Sequence, residues 1–158
     1  MPPPLLISPE ISNFALAMGR LLAIDFGRRR CGIAVTDPLR IAANPLQTVE
    51  TARLIEFVQS YIAREGADAV IVGWPTDMHG QASDSTRYLT PAINRLRKLI
   101  APVPVVFADE RFTTVLAHRA MIDGGMKKSD RRARRDVDAI SAAIILNDYL
   151  QSKTYDIR

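Results

Sequence analysis

Cysteine is almost missing: Cys31 is the one thiol in 158 residues. A single thiol excludes an intramolecular disulfide framework and a thiolate zinc cage. It fits a reducing compartment, so the cytoplasm is the expected location. Histidine is nearly as scarce, with only His79 and His118, which gives no pattern for a histidine-ligated metal. Glycine (8 residues) and proline (10 residues) are at ordinary levels, which excludes collagen-like and low-complexity chains. No apolar run reaches the about 18 residues that a membrane-crossing helix needs, and mean hydropathy is +0.00, so no membrane partner is expected. Aromatics make up 6%, too few to suggest a broad stacking surface for single strands.

What is present is a core and one concentrated charge. Apolar residues are 47% of the chain, and the length suits one domain with a sizeable interior. The net charge is +4. Residues 127–135 read Lys-Lys-Ser-Asp-Arg-Arg-Ala-Arg-Arg, six bases against one acid. That segment alone is net +5, so everything else is close to neutral. A solvated charged loop is the plain explanation for such a run, and a polyanionic partner is the functional one. Lys127, Lys128, Arg131, Arg132, Arg134 and Arg135 are the candidate phosphate contacts.

Residues 1–17 hold four prolines, no base and a single acid, Glu10. Without a positive start or an unbroken apolar stretch they do not read as a secretory signal. A disordered leader, with Met18 as a second start, is the expectation. The domain is expected over 18–152, with a short tail over 153–158. Inside it, apolar runs suit strands at 21–25, 31–36, about 46–49, 69–72 and 103–108. Apolar spacing of three and four predicts a helix over 51–65 stopped by Gly66, and another over 83–100 that Pro91 kinks or delays. Two more are predicted at about 114–123 and 137–150. The order is three strands in an antiparallel meander, then strands alternating with helices. That is an α/β mixed sheet flanked by helices, the order of the ribonuclease H-like fold among others.

Three acidic positions stand out. Asp25 closes the apolar run Leu-Leu-Ala-Ile and precedes Phe26-Gly27. A carboxylate there either caps the following turn or meets a ligand that Gly27 lets approach. Asp109-Glu110 follows the run Val-Val-Phe-Ala. Adjacent strand residues face opposite sides, so only one of the two shares the side of Asp25, and Arg111 is placed to pair with the other. Asp138 opens the last predicted helix, with Asp136 as its cap, and the positions three, four and seven further on are Ser141, Ala142 and Ile145. That small apolar face should pack on the sheet. Three converging carboxylates would repel by about 4 kcal/mol per pair at 4 Å and an effective dielectric near 20. Divalent cations would remove that cost and assist phosphoryl transfer.

Leu22-Ala-Ile-Asp25-Phe-Gly27, Gly32-Ile-Ala-Val, Gly73-Trp-Pro75, Asp109-Glu110-Arg111-Phe-Thr113-Thr114 and Val137-Asp138-Ala-Ile-Ser-Ala-Ala together resemble the YqgF/RuvX family. These are RuvC-like proteins associated with pre-16S rRNA cleavage and with Holliday junction resolution. The resemblance runs from about Met18 to Leu150. It implies a ribonuclease H-like fold and a nuclease dependent on Mg²⁺ or Mn²⁺, one or two ions, acting in 5′-end maturation of pre-16S rRNA. It places the catalytic, metal-holding acids on Asp25, Glu110 and Asp138, favouring Glu110 over Asp109. Asp109, Arg111 and Gly27 would support them. Trp74 stands where the family usually has leucine, and His79 where an acid is commoner. Arg28-Arg29-Arg30 follows Gly27 directly, and Arg29 is a further candidate phosphate contact beside a solvated-turn reading.

The partner expected is therefore nucleic acid: structured RNA, or branched DNA in the alternative of a junction resolvase. A resolvase would need a homodimer, an option the sequence leaves open. Asp-x-Gly after a first strand also resembles the phosphate loop of actin-like ATPases, but those need two lobes. A non-catalytic RNA-binding module for ribosome assembly is the remaining reading.

Overall fold

A computed structural model describes residues 19–74, 86–109 and 131–156; at positions 74, 86–88, 109, 131–136 and 153–156 it describes the backbone alone. Five strands form one sheet: β1 (Leu21–Asp25), β2 (Arg30–Thr36), β3 (Ala43–Glu50), β4 (Ala69–Trp74) and β5 (Val105–Asp109). They lie in the order β3-β2-β1-β4-β5. β2 is antiparallel to β1 and to β3, while β4 is parallel to β1 and β5 to β4. The expected mixed sheet is therefore present. A meander joined by short turns must be antiparallel, and strands joined through helices run parallel.

Three α-helices are described: α1 (Leu54–Glu65), preceded by a 3₁₀ turn (Thr51–Arg53), α2 (Thr86–Ile100) and α3 (Arg131–Asp156). The sheet separates two apolar layers. On one side Leu22, Ile24, Ile33, Val70 and Val72 pack with Leu54, Val58 and Tyr61 of α1 and Leu89, Ile93, Leu96 and Ile100 of α2. On the other, Leu21, Ala23, Ala34, Ala69 and Ile71 meet Ala142, Ile145 and Leu146 of α3. The alternation along β1 thus sends Leu21, Ala23 and Asp25 toward α3, and Leu22 and Ile24 toward α1 and α2. The buried residues of α2 are those its spacing of three and four selects. Gly66, with φ of 76°, closes α1 by donating its N–H to the Ile62 carbonyl.

α2 contains Pro91, as the expected span did; its buried face of four large apolar side chains outweighs the one backbone hydrogen bond that proline removes. One boundary differs from expectation. The last helix begins at Arg131, not near Val137. Arginine and alanine are good helix formers, so the arginine-rich half of the basic segment continues the helix. Asp138 is consequently an interior helical residue rather than a first-turn acid held by the helix dipole, and Asp136 is no cap. The strand β3 and the helix α3 also extend further than the patterns suggested, β3 starting at Ala43 and α3 reaching Asp156. The helix expected over 114–123 lies outside the described residues, as does the leader.

Candidate active site

Asp25 is the last residue of β1 and is 3% exposed. Its register partners are Gly32 on β2 and Gly73 on β4, and Gly73 is in turn opposite Ala108 on β5. Register partners share a sheet face. The row Gly32, Asp25, Gly73, Ala108 therefore carries one long side chain, the Asp25 carboxylate, on the side covered by α3.

Gly32 explains how close α3 comes. A Cβ built there would lie 1.8 Å from the Asp138 carbonyl oxygen and 2.7 Å from the Ala139 nitrogen. Only a residue without a side chain lets the helix backbone rest against β2 at this point. The contact brings Asp138 to the strand position paired with Asp25. Ser141, Ala142 and Ile145, all fully buried, press the next two turns onto the sheet, as the sequence pattern predicts. The two carboxylates, 113 positions apart in the chain, end on one face of the sheet at the C-terminal end of β1.

Asp138 forms an ion pair and hydrogen bond with the Arg30 guanidinium, which donates through Nε to Oδ2. Their side chains are 19% and 41% exposed, so solvent screens the pair in part. Arg30 opens β2 just after the turn at Gly27. A Cβ at position 27 would lie 2.3 Å from the Arg30 carbonyl oxygen, so glycine is required for the turn to close this tightly. The Gly27 carbonyl accepts a hydrogen bond from the Thr51 hydroxyl at 2.8 Å, and Thr51 donates its N–H to the Arg29 carbonyl at 2.9 Å. Cys31, buried beside the same turn, lies 3.4 Å from the Thr51 hydroxyl. Burial pushes its thiol pKa up; the hydrogen bonds with Thr51 and the Gly27 carbonyl offset that in part. Cys31 is thus a packing residue of the turn that presents Arg30.

Sequence reasoning named Asp25, Asp138 and Gly27 and did not find Arg30 as the partner of Asp138. Nothing local could have shown it, because 108 positions separate the two. Arg29 is exposed at the turn. The backbone of Asp109 ends β5 opposite Trp74, on the opposite face from Ala108. Arg131, Arg132, Arg134 and Arg135 belong to the first turns of α3. Glu110, Arg111, Lys127 and Lys128 lie outside the described residues. Among the described residues, no group of three or more histidine, cysteine, aspartate or glutamate side chains is placed to hold a metal. Asp25, on a row otherwise cleared of long side chains, and Asp138, on the helix packed against that row, are oxygen ligands of the kind that suits a hard divalent cation. No helix among the described residues is long and apolar enough to cross a membrane.

A protein named "Putative pre-16S rRNA nuclease" from Phocaeicola vulgatus is 53% identical over 138 residues, covering 87% of this chain and 99% of the relative. One of the same name from Bacteroides thetaiotaomicron is 46% identical over 138 residues, covering 87% of this chain and 100% of the relative. Among solved structures, T. thermophilus RuvC in complex with a Holliday junction substrate superposes with a TM-score of 0.54 at 19% identity, over 86% of this chain and 96% of that one. That likeness fixes the fold as ribonuclease H-like. The family model described as "RuvX: Holliday junction resolvase" matches residues 19–152, and the chain belongs to that family.

Proposed function

We propose that this protein is a metal-dependent nuclease that hydrolyses phosphodiester bonds in the 5′-end maturation of pre-16S rRNA. The observation that carries the reading is the placement of Asp25 and Asp138 on one face of the sheet, both next to Gly32. A buried carboxylate closes β1, flanked by glycines, and Gly32 admits the α3 backbone at Asp138 beside it, on the same face of the sheet. The names of relatives that align along nearly their whole length supply the RNA.

In this reading Asp25, Glu110 and Asp138 are the catalytic carboxylates and the ligands of one or two divalent cations, Mg²⁺ or Mn²⁺. The alternation of β5 supports Glu110 over Asp109 as the third: Ala108 shares the face of Asp25, and Asp109 has the other. A bound divalent cation supplies charge neutralisation at the phosphodiester and activation of the attacking water. The chain's own part is to hold oxygen ligands on a rigid strand end and to exclude bulky neighbours. Arg30 orients the Asp138 carboxylate through its ion pair. Asp109 and Arg111 are assigned supporting roles next to Glu110, and Gly27 keeps the turn tight enough to present Arg30. Positions 131, 134 and 135 stand seven, four and three residues before Asp138, on the same side of α3. Together with Arg132, Lys127, Lys128 and Arg29, these arginines are assigned to substrate phosphates, where multiple contacts give salt-dependent affinity.

The family description favours a second substrate, the four-way DNA junction. Resolution of a junction requires two such sites in a homodimer; maturation of one RNA end requires one site. The two are separated by incubating a precursor rRNA fragment and a four-way junction side by side with Mg²⁺, Mn²⁺ or EDTA, for the wild type and Asp25→Asn. RNA cleavage that disappears with EDTA and in the variant is the expected result. Cleavage of the junction alone would transfer the reading to a resolvase. RNA binding without cleavage, unchanged by Asp25→Asn, would sink the nuclease in favour of a binding module.

A further inference from the structure

An open groove of about 1100 Å³ lies between the edge strand β3 and α1. It begins at the turn that carries Arg29 and Arg30 and continues along α1 to Arg64. Its charge is uneven. Arg29, Arg53 and Arg64 line it against Glu50 and Glu56, and Arg30, at its mouth, is committed to Asp138. Among the described residues, neither Arg29, Arg53 nor Arg64 takes part in a salt bridge. All three are exposed. Their charge is therefore not spent on neighbouring carboxylates, although two glutamates stand in the same groove.

The sequence order of the wall is regular. Phe57, Ser60 and Arg64 follow one another by three and four residues as one stripe of α1, and Arg53, four before Phe57, ends the 3₁₀ turn that leads into it. The two arginines stand about 16 Å apart along that stripe, at 1.5 Å per residue. Between them are a half-buried ring and a hydroxyl. Guanidinium groups at intervals, with one ring between, match the repeating phosphates and flat bases of a single strand.

We infer that the groove between β3 and α1 is a binding track for a single-stranded segment of nucleic acid, whose phosphates are taken by Arg29, Arg53 and Arg64. The track ends at the turn that carries Arg30, the residue that holds Asp138; the carboxylates lie at that same end on the opposite face of the sheet, so a strand lying in the track passes over this turn to reach them. The basic start of α3 sits on the other side of the sheet. Substrate is then gripped on two sides of the strand end: by α3 where it is cut, and by α1 where an unpaired flank leaves. This assignment rests on the nuclease reading for its ligand class but uses residues to which that reading gives no role, Arg53 and Arg64.

The test is binding without catalysis. A fluorescein-labelled single-stranded RNA 12-mer is titrated in EDTA and followed by anisotropy from low to moderate salt. The proteins are the wild type, the double variant Arg53→Gln/Arg64→Gln, and a control, Arg95→Gln/Lys98→Gln, which removes two equally exposed charges from α2 outside the groove. Circular dichroism confirms that each is folded. The groove variant should weaken binding by about tenfold or more at low salt. Its plot of log K against log[salt] should be shallower by about 1.4, two contacts at roughly 0.7 each. The control should match the wild type. Equal binding by the groove variant and the wild type would overturn the track, as would an equal loss in the control. Displacement of the RNA by polyglutamate as effectively as by unlabelled RNA would overturn it too, in favour of an acidic peptide. The nuclease reading fails separately: a wild type that binds through the groove and cleaves nothing leaves the track standing, and one that cleaves RNA while the groove variant binds normally removes the track alone.

Discussion

Replacing Gly32 by alanine drives a methyl group into the backbone of α3. In an isolated strand the change would help, because glycine is worse than alanine in a strand by about 0.5–1 kcal/mol. Gly32 is not among the residues with positive φ, so alanine fits the local backbone. The tertiary contact reverses the sign. The new Cβ would lie 1.8 Å from the Asp138 carbonyl oxygen, 2.1 Å from its carbon and 2.7 Å from the Ala139 nitrogen. All three are backbone atoms, so no rotamer change relieves the clash. Reaching even 3.0 Å requires β2 and α3 to part by about 1.2 Å, which also loosens the packing of Ala142, Ile145 and Leu146. Overpacking of this kind costs about 1–3 kcal/mol where side chains can give way, and the upper end applies here. At about 2–4 °C per kcal/mol for a domain of this size, Gly32→Ala should lower Tm by about 6–12 °C. It should also reduce RNA cleavage more than RNA binding, since it moves Asp138 from Asp25 and leaves the groove at α1 intact. Calorimetry and urea melts give the stability, and single-turnover cleavage at saturating protein gives the chemical step. A Gly32→Ala protein with unchanged or raised Tm and normal cleavage would refute the close approach of α3 and the pairing of the two carboxylates that rests on it.

Two further outcomes follow from the turns. Asp37 accepts the backbone N–H of Ala42 and Ile41 at 2.9 Å and of Leu39 at 3.1 Å, and these bonds, Ala42 first, hold its carboxyl below its ordinary 3.8. A depressed carboxylate stabilises the fold above its unfolded pKa and loses that contribution as pH falls through the folded one. Asp37→Ala should therefore be less stable than the wild type at pH 6.5, with the gap narrowing below about pH 3.8; urea melts that show a constant gap would contradict this. Burial raises the Cys31 thiol, so iodoacetamide at pH 8 should alkylate it at least tenfold more slowly in the native protein than in urea. Equal rates by mass spectrometry would mean that the turn around Gly27 opens freely.

Local composition and periodicity were enough for the strands of the sheet and the buried faces of the helices. Those faces follow from spacing alone: Leu89, Ile93, Leu96 and Ile100 on α2, and Ser141, Ala142 and Ile145 on α3. Asp25 was legible because an acid that ends an apolar strand is costly wherever the strand lies. Asp138 was legible as an acid beside a small apolar face, although its place in the helix was misread. Its basic prelude looked like a loop, while arginine and alanine there continue a helix packed on the sheet. Tertiary structure alone decided three things. The pairing of Arg30 with Asp138 joins residues 108 positions apart. Gly32 matters because of a helix that arrives more than a hundred residues later. The groove at α1 exists only because β3 is the sheet edge next to that helix. Sequence records which side chains a segment turns inward, since that depends on neighbours three or four residues away. Which segments then meet depends on the register of the sheet, and no run of adjacent residues contains it.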